Sequence, residues 1–301
     1  MSRNVLILAT FLVLSSCISL TKTQIESVNQ FAQNTRNFSI FPSKIMTELA
    51  DIRVKRGIYY ANSLTDPKQH IAELDSIFSQ KKFDYQLSDK LDVTFKIIDK
   101  YSQSLELLTS DNYEKEIEKQ SKNFGIDIDS LIRLNNSLKD AITIPSGIGG
   151  AVSNLVVLGG KQYVRSIQAK EVRKFVCLAD TLISTMTLNL LEYLQSENIN
   201  LLIDHEEREI KRNYLSFLQN APRATIESER DYLELKNDID GVRQLQKQTI
   251  DATKELKIAH KKLLHEIEKK KNLKQTISEL QELYESINKI KETVQKIGTQ
   301  K

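Results

Sequence analysis

Proton transfer, metal ligation and nucleophilic attack call on a short set of side chains. In this 301-residue chain they are four histidines, two cysteines and one dense acidic stretch. The histidines are His70, His205, His260 and His265. No His-Glu-x-x-His pattern sets two imidazoles one turn apart for zinc. His260 and His265 are five residues apart and point to different helix faces, so they make poor joint ligands. No Glu-x-x-His pair is present, which removes the carboxylate-histidine pattern of di-iron bundles. Asp204-His205-Glu206-Glu207 places carboxylates beside an imidazole, but neighbouring helical positions diverge, and the stretch reads as a solvated polar face. Cys177 sits within Phe175-Val176-Cys177-Leu178 and reads as a buried small hydrophobe rather than a nucleophile. Gly147-Ile148-Gly149-Gly150 precedes a helical pattern, a setting for anion cradling. It lacks the Lys and Ser/Thr of a P-loop and any βαβ context. Lys261-Lys262 and Lys269-Lys270-Lys271 are interleaved with Glu266 and Glu268, so they too read as a solvated face. From these residues we expect no enzyme, no cofactor, no metal site and no small-molecule substrate.

Charge and cysteine content narrow the classes further. Lys plus Arg is 43 against 40 Asp plus Glu, a formal charge of +3, which argues against an electrostatic nucleic-acid binder. Two cysteines exclude a disulfide framework. The first of them has a specific context. Arg3 precedes an uncharged apolar run of ten residues, Val5 to Leu14. That is short of the ~20 residues of a membrane span and matches the apolar region of an export signal. Leu14-Ser15-Ser16-Cys17 follows. This tetrapeptide resembles the lipobox of bacterial lipoproteins. The resemblance implies cleavage before Cys17, a lipid on its thiol and membrane anchoring through that lipid. Residues 1–16 are then a signal peptide and residues 17–24 a tether. Ile18 stands where an Asp would retain an enterobacterial lipoprotein in the inner membrane, so the resemblance favours the outer membrane, facing the periplasm. It is confined to the N-terminus and says nothing of activity.

The elements that follow must be long. Nine Gly and four Pro leave few turn formers, which favours helices over a many-stranded fold. Ile45, Leu49, Ile52, Arg56, Tyr59 and Ser63 recur on one helix face, after an interruption at Pro42. Asp66-Pro67 predicts a new helix, Asp as cap and Pro in the first turn. Leu87, Leu91, Phe95 (or Thr94), Ile98, Tyr101, Leu105 and Leu108 form another apolar stripe. From Lys161 to Leu194 apolar residues cover more than half the circumference, which predicts a central helix surrounded by others.

Ala141 to Gly160 differs from the rest: AITIPSGIGGAVSNLVVLGG carries no charge over twenty residues and holds five of the nine glycines. It suits close packing inside a bundle, a membrane-contacting tip or, less well, a span. Ile144, Ile148, Val152, Val156 and Leu158 are the membrane-contact candidates. In layout alone, an apolar hairpin between long amphipathic helices resembles the helical-bundle pore-forming toxins.

The C-terminal stretch, 223–301, carries a heptad-like seam through Ile239, Val242, Gln246, Thr249, Thr253, Leu256, His260, Leu263 and Ile267. It resumes at Leu273, Ile277, Leu280, Tyr284, Ile287, Lys291 and Val294. One straight helix would reach about 100 Å; the other reading is a hairpin folding near Lys269-Lys270-Lys271-Asn272. So polar a seam suits packing against helices of the same chain. The expected fold is therefore all-α: an elongated helical bundle over 25–222 with a long C-terminal coiled-coil-like helix or hairpin. The expected role is a membrane-anchored envelope scaffold with a protein partner or self-association through its helices; the second reading is a membrane-active bundle using 141–160.

Overall fold

The computed structural model describes residues 20–110, 130–137, 165–220, 224–269 and 274–298. The chain is an all-α bundle, with no strand among the described residues. In chain order its helices are α1 (Lys22–Phe38), α2 (Lys44–Ser63), α3 (Pro67–Thr109), α4 (130–137), α5 (Arg165–Gln195), α6 (Glu197–Asn220), α7 (Ile226–Lys269) and α8 (Lys274–Gly298).

Local chemistry sets the helix starts. Thr21 and Gln24 form a reciprocal capping box: Gln24 N–H donates to Thr21 Oγ1 at 3.2 Å, and Thr21 N–H to Gln24 Oε1 at 3.0 Å. Lys22 to Gln24, expected as tether, therefore form the first turn of α1, and Leu20 is already buried. Pro42 lies between α1 and α2, where the interruption was expected. Asp66 caps α3, accepting from Lys68 N–H at 3.0 Å, with Pro67 opening the helix. α3 has 43 residues and α7 has 44, so each runs to about 65 Å. That exceeds the roughly 50 Å diameter of a compact chain of this size, and the bundle is elongated.

α7 is the organising helix. It packs against α1, α2, α5, α6 and α8. This corrects the expectation that the Lys161 to Leu194 pattern marks the central helix. α5 buries Val172, Phe175, Val176, Ala179, Leu182, Ile183, Met186, Leu190 and Leu194, but Leu178 and Leu188 remain exposed on its outer side. The polar seam of α7 lies inside because neighbouring helices and its own backbone take up its hydrogen bonds. Gln246 Nε2 donates to Leu194 O at 2.6 Å and to Asn200 Oδ1 at 3.0 Å. Thr249 and Thr253 donate back to Leu245 O and Thr249 O.

α8 folds back along α7, so the hairpin stands and the single straight helix does not. The pairing is antiparallel: Lys262 meets Glu279 at 3.6 Å, and Gly241 lies under Ile297. A Cβ at Gly241 would come within 2.7 Å of Ile297 Cγ1, a close approach that suits the lone glycine inside α7. α8 bends back because Leu280, Leu283, Ile287 and Ile290 need an apolar partner and find it in this groove. α1 crosses both arms: Gln24 Nε2 donates to Glu266 O and Asn34 Nδ2 to Leu280 O, at 3.3 and 3.0 Å. One hydrophobic cluster runs through the whole assembly. α4 is fastened to α3 by Thr94 Oγ1, which donates to the buried Asn135 Oδ1 at 2.6 Å.

Candidate functional site

Cys17 and the candidates Ile144, Ile148, Val152, Val156 and Leu158 all lie outside the described residues, as does Gly147-Ile148-Gly149-Gly150. Among the described residues, Val172–Gln195 of α5 is long and apolar enough to cross a membrane by length and composition. Its inner face is core, packed on α7 and α3.

In the acidic stretch of α6, Glu206 departs from the solvated face expected from sequence. Glu206 is fully buried, and two guanidiniums of α2 claim its two oxygens. Arg53 Nε–H donates to Oε1 at 2.9 Å and Arg56 Nε–H to Oε2 at 2.5 Å. Arg53 also pairs with Asp84 of α3. Asp204 and Glu207 reach the other way, to Arg243 of α7, at 2.7 and 2.5 Å. His205 and Glu207 are both exposed. The cluster therefore ties α6 to α2, α3 and α7, and its charges are spent on one another.

His260 is the one histidine in the core, 1% exposed. Tyr101 Oη lies 3.2 Å from its Nε2, and Asp180 Oδ1 lies 3.3 Å from its Nδ1. Phe31 packs on the ring at 5.4 Å. The close approach of the His260 ring holds the Asp180 carboxyl below the ordinary range, against the opposing effect of burial, and Lys261 adds to the lowering. Burial, then the Asp180 charge, hold the Tyr101 phenol well above its ordinary value. This Tyr–His–Asp line joins α3, α7 and α5. Cys177 is exposed on the outer side of α5, which corrects its reading as buried.

Glu255, Glu279 and Glu282 bring carboxylate oxygens within 4.8 Å of one another along the α7–α8 seam. Burial first, then Glu282, Glu279 and Asp251, push the Glu255 carboxyl up, with Lys254 opposing. Lys262 partly balances Glu279.

The remaining site was not anticipated. A cavity of about 380 Å³ opens where the end of α2, the end of α6 and the start of α7 converge. Thr225 and Ser228 cap the start of α7 for one another. Tyr59 Oη–H donates to Ser228 O at 2.8 Å and fixes one aromatic wall. Tyr59 packs edge-on to Tyr214 at 5.1 Å and tilted to Phe217 at 5.4 Å; Tyr214 stacks on Tyr232 at 4.2 Å. Lys55, Glu227, Asp231 and Glu234 supply the charges of the rim. Burial works against the Lys55 charge, but bonds to Glu234 and Asp238, at 2.7 and 3.1 Å, outweigh it and raise its pKa. The aromatics at 59, 214, 217 and 232 were the available sequence signal, but nothing in their spacing showed that three helices would bring them together.

Comparison of the chain with protein-family models, with curated proteins and with solved structures finds no match.

Proposed function

We propose that the chain is an exported bacterial lipoprotein, held by lipid on Cys17, whose elongated bundle acts as a structural or interaction scaffold in the cell envelope. The membrane is the outer one, with the bundle facing the periplasm. The observation that carries this is Leu14-Ser15-Ser16-Cys17 directly after a ten-residue apolar run. Two helices of about 65 Å suit a spacer, and the Glu206 and Arg243 ion-pair clusters hold helices together. Ile71, Leu74 and Phe78 recur on an outer face of α3 and stay exposed, as an interaction role requires. The test is Cys17→Ala with a fatty-acid analogue. Wild type is expected to label and sediment with membranes; the variant is expected to lose the label and remain as precursor or soluble chain. Equal labelling of the two contradicts the proposal.

The uncharged stretch 141–160 supports a second reading, a membrane-active bundle. Liposome leakage by the unlipidated chain that Val156→Asp abolishes, with melting unchanged, selects this reading. Destabilisation by the same substitution, without leakage, selects the scaffold, because a buried lone carboxylate loses its water.

A further inference from the structure

We propose that the cavity between α2, α6 and the start of α7 binds a small organic ammonium ion with an apolar body. Its size falls within the range of small-molecule sites, about 300–1,000 Å³. One side is aromatic and aliphatic, built from Tyr59, Phe217, Ile58 and Leu235; the other is acidic. Lys55 does not neutralise that side, because Glu234 and the neighbouring Asp238 already hold it. Glu227 and Asp231 have no ion pair among the described residues, so the described lining holds three carboxylates, Glu227, Asp231 and Glu234, against the one ammonium of Lys55. Glu227 lies in the first turn of α7, where its charge also suits the helix dipole. Asp231 is a turn further on, beyond that effect, and its charge is felt at the Tyr59 phenol, whose pKa burial and then Asp231 raise. An anion is repelled by this rim, and a neutral ligand leaves the carboxylates unused. A cation with a hydrocarbon body uses both sides: the aromatic face attracts the charge and excludes water, and the carboxylates supply the counter-charge.

The test is calorimetric titration of the purified full chain with 2-phenylethylamine, which is cationic at neutral pH, beside neutral phenylacetamide. Saturable binding of the amine is expected, at least about tenfold tighter than the amide, which corresponds to about 1.4 kcal/mol. Glu227→Gln with Asp231→Asn is expected to remove that preference while leaving melting nearly unchanged, since both side chains are exposed. Phe217→Leu keeps an apolar wall without an aromatic face and is expected to weaken amine binding several-fold. No saturable binding of the amine, equal binding of the amide, or a preference that survives the double substitution each overturns the proposal.

Discussion

Two seams of this bundle hold carboxylates in opposite circumstances. Between α6 and α2, Glu206 is completely buried, yet Arg53 and Arg56 take one oxygen each. Between α7 and α8, Glu255 is only partly buried, yet its Oε2 is shut off from water with no hydrogen-bond partner, and Glu279 and Glu282 crowd it. The more buried group is the more comfortable one. Depth alone does not set the energy of a charge; partners on the facing helix do. The first seam is a fastening that fails when one member is removed. The second is an apolar contact carrying a local repulsion.

The largest effect is expected at the fastening. Glu206→Ala leaves the largely buried Arg56 guanidinium without its carboxylate and Arg53 with Asp84 alone, and should cost about 3–5 kcal/mol, read by denaturant titration. A loss under ~1 kcal/mol, the scale of an exposed pair, would dissolve the contrast. Next comes the His260 line: Tyr101→Phe strips the buried imidazole of its phenol partner and should cost about 1–3 kcal/mol. Melting that is unchanged would show that the pair does not hold α3 to α7.

pH separates two of these carboxyls by sign. The Asp180 pKa is depressed in the folded chain, so its contribution is present above the ordinary 3.8 and lost as pH falls through the lower folded value. The Glu255 pKa is raised, so folding gains as pH falls from its folded value towards the ordinary 4.5. Melting followed against pH should lose its rise on mild acidification in Glu255→Gln, and part of its fall below 3.8 in Asp180→Asn. Identical curves for wild type and both variants would refute the assignment. The smallest effect is Glu255→Gln at neutral pH, a stabilisation within ~1 kcal/mol since the group is only partly buried; a lower melting temperature would contradict the repulsion.

What could be read from the sequence was what a single helix decides for itself. The stripe from Leu91, partly buried, to Leu108, the break at Pro42 and the Asp66-Pro67 start depend on neighbours within a few residues, and these stand. Thr21-Lys22-Thr23-Gln24 was equally legible as a capping box and marks a helix where a tether was expected. What depends on a partner was not legible. Arg53 lies 153 residues from Glu206, and no local pattern pairs them. Cys177 follows two buried residues, but each helical step turns about 100°, which carries it from the face of Val176 to the outer side. Hydropathy favoured α5 as the centre, whereas α7 holds that place with polar side chains whose hydrogen bonds are completed by its neighbours at Gln246 and by its own backbone at Thr249 and Thr253. The aromatic cavity was hidden for the same reason.

The central claim, a scaffold tethered through its first cysteine, is tested most directly by the mass of the N-terminal peptide of the protein extracted from bacterial membranes. The expected peptide begins at Cys17 and carries a lipid on its sulfur. A peptide that begins upstream of Cys17, or that begins there with an unmodified thiol, would contradict the account.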